Sequence, residues 1–580
     1  MKPTLLFLFL VFALPSFSQT NIISTNPVAE NVLLGTFNPA TYQPSGSFTK
    51  SQIVQGIWNN LSTDSMLANL HTLAAFHNRN TGSDTVSGTK GVGAARRWVH
   101  AKLQQYSALN QNRLIPSYLQ FDQTICTITQ HRNIFAVLPG TDTSDKSVII
   151  MEAHMDSRCE TVCDTACLAQ GMEDNGSGTV LVMELARVMS KYSYKQSIVF
   201  LITIGEEQGL DGANAFATYC KNKGIQIEAV LNNDVVGGII CGKTASPPGC
   251  PGENLVDSMS VRLFSAGTNS SPHKSLVRFI KLEYQEEVKP WMNVPTTIHV
   301  MNAEDRTGRG GDHIPFRSKG YTAMRFTSTH EAGDANIVPG YTDRQHSTRD
   351  VLGKDINMDG TFDSFYVDAN YLKRNAMINA NTATMAAIGP PQPGVLELGN
   401  DGNGLTVVIP PVAGINTYRV GIRTAYNDFD SVYTLTGTNV MKTYNIKKDS
   451  IYFVSAASVD ANGTESIFNI EKYIKAVAQP NTGTAEPLQP QKAVELLGAM
   501  PNPFDETTTL SVLVNGKLNY KTANITITDI QGRTVSVLPV VLNPGINEVL
   551  YEHGFNQKGL FNYSLLIDGK IWQTGRMLFK

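Results

Sequence analysis

Ser147-Val148-Ile149-Ile150-Met151-Glu152-Ala153-His154-Met155-Asp156 runs from an apolar, β-branched segment straight into a histidine and an aspartate. The apolar part is too short for a helix and reads as a buried strand. Two more segments repeat the arrangement. Ile198-Val199-Phe200-Leu201-Ile202-Thr203-Ile204 delivers Gly205-Glu206-Glu207, and Ala229-Val230-Leu231 delivers Asn232-Asn233-Asp234. Between the first two, Ser177 to Tyr192 carries Leu181, Leu185 and Val188 at helical spacing. The local order is strand, helix, strand, which predicts a parallel sheet. The carboxyl ends of the strands in such a sheet line a ligand crevice, so residues remote in sequence converge there.

Asp174 lies just before the helix in Glu173-Asp174-Asn175-Gly176-Ser177-Gly178, where the glycines allow tight turns and Ser177 is placed as N-cap. A lone Asp after a strand is usually a turn residue, Glu206-Glu207 alone reads as a solvated pair, and His346 alone as a surface histidine. Their combination reads differently. Two adjacent carboxylates directly after an apolar strand, in a crevice that also receives two His and two Asp, repel strongly unless cations compensate them. The set His154, Asp174, Glu206, Glu207, Asp234 and His346 therefore reads as a two-metal hydrolytic site.

These stretches resemble the zinc-dependent aminopeptidases of the bacterial leucyl aminopeptidase kind, a family with glutamate carboxypeptidase-like and glutaminyl-cyclase-like members. The matching blocks are Ala153 to Ser157, Glu173 to Gly178, Gly205 to Gly212, Asn233 to Gly237 and Gln345 to Asp350, in family order, with Phe76-His77-Asn78-Arg79 upstream. The resemblance spans roughly residues 45–390. It implies two zinc ions, one held by His154 and Asp234, the other by Glu207 and His346, with Asp174 bridging. It further implies Glu206 as general base and Asp156 as the partner that holds the His154 imidazole in its ligating tautomer. His313 also looks like a ligand, but the resemblance assigns that role to His346.

The implied reaction is hydrolysis of N-terminal residues from peptides by metal-activated water. Glutaminyl-cyclase chemistry with one zinc is the runner-up, together with a catalytically inert binding protein on the same scaffold. Glu304 or Asp305 could hold a substrate α-amine, whereas Arg306 or Arg309 could hold a carboxylate and make the enzyme a carboxypeptidase.

The fold expected is α/β, a mixed, largely parallel sheet flanked by helices in the zinc exopeptidase manner, followed by two all-β sandwich modules. Residues 1–18 read as a signal peptide: Leu5 to Leu14 is too short to span a membrane, and no later segment qualifies. An N-terminal extension, 19–44, precedes the peptidase domain, 45–390, which closes at Gly389-Pro390-Pro391-Gln392-Pro393-Gly394. Short alternating runs over 395–478 resemble a fibronectin type III module. A Pro, Gly, Thr and Gln linker, 479–491, leads to 492–580, which resembles the C-terminal sorting domain read by the type IX secretion system. The expected partners are peptide substrates and that secretion machinery, and the expected location is secreted or cell-surface after passage through the periplasm.

Seven cysteines fit an oxidising compartment. Cys241 and Cys250 bracket a Pro-Gly loop and pair plausibly. Cys159, Cys163 and Cys167 leave open one disulfide or a third, structural metal site. With an odd total, at least one thiol stays unpaired within the chain. A net charge of −3 and 17% charged residues give no basic stripe, which argues against nucleic acid as a partner.

Overall fold

A computed structural model describes residues 19–580 apart from 243–247, 269, 307, 331–343, 360–361, 401–403, 425–427, 445, 448–449, 477–492 and 555–557. The expected signal peptide and the whole of the expected linker therefore lie outside the described residues.

Among the described residues, the main sheet of the peptidase region has nine strands: β1 (Thr20–Ser24), β2 (Ile115–Ile125), β3 (Ile128–Leu138), β4 (Val148–His154), β5 (Ser197–Thr203), β6 (Ile227–Asn233), β7 (Ser260–Ser265), β8 (Thr297–Val300) and β9 (Ala323–Ser328). Their order in the sheet is β1-β2-β3-β5-β4-β6-β9-β7-β8. The centre, β5-β4-β6-β9, is parallel, and β3 and β7 flank it in antiparallel sense. Every residue of β4 and β5 is buried, which is why these segments read as continuous apolar runs and do not alternate. Helices Gly178–Met189 and Ala369–Ile388 pack on this centre, both almost wholly buried.

Register aligns the chemistry. His154 stands level with Thr203 across the β4/β5 pair, so Glu206 and Glu207 leave the sheet just beyond it. Gly205 turns the chain there at φ 75°, a conformation that costs glycine little. Gly178 is required for another reason: a Cβ there would lie 2.2 Å from the Asn233 carbonyl oxygen.

Two expectations need correction. Ser177 does not cap the helix; it is itself helical, and its hydroxyl donates to the Glu173 carbonyl at 2.8 Å inside a wide turn over Met172–Ser177. Residues 19–44 are not a separate extension, because β1 pairs with β2 and Ala29, Val32 and Leu33 join the main core.

Beyond Ile388 the chain forms two sandwiches. In the first, strands Glu397–Asn400, Leu405–Val408 and Val440–Thr443 face Thr417–Arg423, Ser431–Thr436, Ile451–Val459 and Lys472–Lys475. In the second, Val494–Met500, Thr507–Val514 and Gly545–Glu552 face Ala523–Asp529, Thr534–Pro539, Gly559–Ile567 and Lys570–Phe579. The first sandwich packs against the peptidase region, with Ala457, Ile467 and Phe468 in the main core. Among the described residues no helix is long and apolar enough to cross a membrane.

Three disulfides are present. Cys241–Cys250 joins as the sequence suggests, while Cys163 pairs with Cys126 and Cys159 with Cys167. The three clustered cysteines thus form no metal site, and the buried Cys220 is the unpaired thiol.

Candidate metal centre

The strand ends bring together all the predicted ligands. His154, Glu206 and Asp234 form one group, and Asp174, Glu207 and His346 another, with the candidate ligand atoms of each group within 4.8 Å of one another. Asp174 connects them: its Oδ1 lies 3.4 Å from His154 Nε2 and its Oδ2 3.0 Å from His346 Nε2. His154 Nε2 also lies 3.3 Å from Asp234 Oδ1, and His346 Nε2 3.1 Å from Glu207 Oε2.

Asp156 serves both sides. Its carboxylate sits 3.4 Å from His154 Nδ1 and accepts from the backbone N–H of Glu206 at 3.4 Å and of Glu207 at 3.2 Å. One side chain thus orients a histidine and the loop that follows β5. His313 is elsewhere: it is buried, its Nε2 is 3.2 Å from the Glu304 carbonyl oxygen, and it belongs to neither group.

The electrostatics without cations are those of a crowded anionic site. Burial pushes the Glu206 carboxyl well above the usual range, and Asp234 and Glu207 add repulsion. Burial would lower His154, but Asp234 and Glu206 outweigh it and raise the imidazole well above its ordinary value. Burial likewise opposes the ionised form of Asp174, but hydrogen bonds from His154 and His346 win and hold it well below the carboxylate range.

The donor set fits metal ions. Two groups of imidazole and carboxylate donors stand side by side with Asp174 within 3.4 Å of a histidine of each, and Glu207 Oε1 is buried with no hydrogen-bond partner. A buried carboxylate oxygen of this kind calls for a cation. His346 adopts φ 53°, uncommon for a non-glycine residue and typical of functional positions.

Several residues that hold the site were given no role by the sequence, although Asp350 and Arg79 lie inside blocks that carry the resemblance. Asp350 accepts from the N–H groups of Glu173 and Asp174, both at 2.9 Å, and so fixes the backbone that carries Asp174. Arg79, fully buried, donates to the carbonyls of Met155 and Gly171 at 2.8 Å each, stapling the loops after β4 together. Arg325 of β9 lies 3.0 Å from Asp234 Oδ2 and grips both Asp305 oxygens at 2.9 and 2.8 Å. Arg158 donates to Glu207 Oε2 at 2.7 Å and lies 2.8 Å from His346 Nδ1.

The site opens into a cleft of about 370 Å³ whose lining includes Arg158, Arg306, Arg309 and Arg325 beside the candidate ligands. Neither acidic candidate for holding an α-amine lines it: Asp305 is buried against Arg325 and Arg306, and Glu304 pairs with Arg317 at 2.7 Å.

Such a fold and site define a metal-dependent hydrolase, and comparison with known proteins gives its kind. Residues 133–364 match the model of peptidase family M28. A probable zinc metalloprotease of Leptosphaeria maculans is 31% identical over 352 residues, 59% of this chain and 78% of that protein. Another from Pyrenophora tritici-repentis is 31% identical over 354 residues, 59% of this chain and 77% of that protein. Among solved structures, the LapA aminopeptidase of Legionella pneumophila aligns with TM-score 0.42 and 18% identity, covering 58% of this chain and 75% of that one. The chain belongs to peptidase family M28 and is a zinc peptidase.

Proposed function

We propose that this protein is an exported dinuclear zinc aminopeptidase that removes N-terminal residues from peptides. The observation that carries the two-ion reading is the Asp174 carboxylate, which offers one oxygen to the His154 group and the other to the His346 group. Zinc bound there would supply a Lewis acid for the scissile carbonyl and a water acidified towards neutrality. His154, Asp234, Glu207, His346 and the shared Asp174 would hold it. Glu206 stands among these ligands and is not needed to join the two groups, so it is placed to take a proton from the attacking water and pass it to the leaving amine. Asp156 keeps His154 and the Glu206-Glu207 backbone in position.

Support for the aminopeptidase end comes from the sequence blocks around the ligands. A carboxypeptidase is the second reading, favoured by Arg306 and Arg309 on the cleft wall. Export is supported by the three disulfides and the leader-like first 18 residues. The second sandwich is assigned as a type IX sorting domain on its sequence blocks, and removing 492–580 should leave the enzyme inside the cell envelope in fractionation.

Glu206→Gln tests the chemistry. Metal content should stay at two ions per chain while turnover falls at least about 10²-fold. Unchanged turnover with full metal would sink the mechanism.

A further inference from the structure

A second set of cationic and hydrogen-bonding side chains lies away from the metal cleft and has no counter-charge. The helix Gly91–Leu109 packs on β2 and β3, and its Arg96 and His100, one turn apart, stand beside Tyr118 of β2 and Arg132 of β3. The His100 ring is stacked on the Tyr118 ring, centroids 4.3 Å apart and planes 17° apart, and the Arg132 guanidinium sits 5.7 Å from the same ring. Gln120, opposite Arg132 across the strand pair, fixes that arginine: its Oε1 accepts from Nε at 3.1 Å and from Nη2 at 2.9 Å.

The remaining donors are unspent. Arg132 Nη1, the Arg96 guanidinium, the His100 ring nitrogens and the Tyr118 hydroxyl have no hydrogen-bond partner among the described residues. All four side chains are half-buried, and none of these polar atoms is sealed from solvent. Burial, then repulsion from Arg132, brings the Arg96 guanidinium down to about 10, and no carboxylate among the described residues offsets them. Neighbouring Arg97 is different, because it donates to the Thr85 and Val86 carbonyls at 2.9 and 3.1 Å. Guanidiniums gathered without a counter-ion repel one another, and an anion seated among them removes that cost. The donors come from a helix and two strands, which suits an oxyanion that accepts from several directions better than a planar carboxylate.

We propose that Arg96, His100, Tyr118 and Arg132 form a binding site for a phosphate-class dianion, separate from the metal centre, whose cleft none of them lines. A free phosphate and the headgroup of an anionic phospholipid present the same group to it.

Calorimetry with inorganic phosphate on the zinc-loaded full chain tests the site. Zinc can also take phosphate, so the reading is the difference between wild type and variants that leave the metal centre untouched. The expected result is one site per chain that weakens at least about tenfold in Arg96→Gln and in Arg132→Gln and is largely kept in Arg96→Lys. Tyr118→Phe, which deletes one hydroxyl and keeps the stack on His100, should weaken it in the same titration. Thermal unfolding without phosphate shows that each variant is folded. Acetate bound as tightly as phosphate, or phosphate affinity unchanged in Arg96→Gln, Arg132→Gln and Tyr118→Phe, would overturn the proposal. Sedimentation with phosphatidylcholine vesicles, with and without phosphatidic acid, separates the sources. Capture only by the phosphatidic acid vesicles, lost in Arg96→Gln, assigns the headgroup; no capture beside intact phosphate binding assigns a free phosphate.

Discussion

Asp156 Oδ1 lies 3.4 Å from His154 Nδ1, on the side of the imidazole opposite the Nε2 that faces Asp174 and Asp234. A carboxylate behind a ligating histidine fixes its tautomer and makes it a stronger donor. Asp156→Asn should therefore weaken metal affinity by about 10- to 100-fold and lower activity with it. Chelator competition against wild type measures this; unchanged affinity would reduce Asp156 to a loop anchor.

Arg158 makes the reverse prediction. A guanidinium donates in hydrogen bonds, so Nδ1 of His346 accepts from Arg158 and the ring proton sits on Nε2. Ligation through Nε2 needs that proton on Nδ1, so Arg158 opposes the metal-binding tautomer and also competes for Glu207. Arg158→Gln, which can accept from Nδ1, should tighten zinc binding by about tenfold or more, since it also removes a positive charge beside a dication. Looser binding in the same chelator titration would show that Arg158 chiefly orients Glu207.

Glu471 lies between two buried arginines at the junction of the peptidase region and the first sandwich. It is 3.0 Å from Arg278 Nη1, and Arg423 donates to it at 2.7 and 2.6 Å. Removing one member of such a set strands buried charge. Glu471→Ala should cost about 3–5 kcal/mol in denaturant unfolding, and a loss under about 1 kcal/mol would mean water reaches the arginines.

His273 sets an acid limit on stability. Its Nδ1 accepts from the Ala323 N–H at 3.1 Å, and burial, reinforced by Arg317, brings its pKa down to about 4. The unfolded chain binds this proton at about 6.5. Between these values the unfolded state carries more protons, so stability rises with pH across the window and is lost as pH falls from 6.5 towards 4. Thermal unfolding of His273→Asn, which keeps an acceptor without the titration, should show a flatter slope over that range. An unchanged slope would assign the effect to other groups.

The parallel centre of the sheet and the ligands at its strand ends were legible because apolar runs of strand length stop at His154, Glu206-Glu207 and Asp234. Burial on both faces produces that signal locally. Apart from Asp156, the supports were given no role by the sequence. Asp350 reaches Glu173 across 177 positions, and Arg325 sits in a strand that carries no pattern pointing to Asp234. Cys126 pairs with Cys163 only because the β2–β3 turn approaches the loop after β4. Ser177 misled because its hydroxyl is taken by a turn carbonyl, a choice made by the loop geometry and not by residue type.

The proposed function is that of a metal-dependent enzyme acting on free N-termini. Release of amino acids from paired peptides, N-terminally free and N-acetylated, with and without a chelator, tests it most directly. Cleavage of the free peptides only, abolished by the chelator and restored by zinc, is the expected result. Release from the carboxyl end, or cleavage indifferent to the chelator, would contradict it.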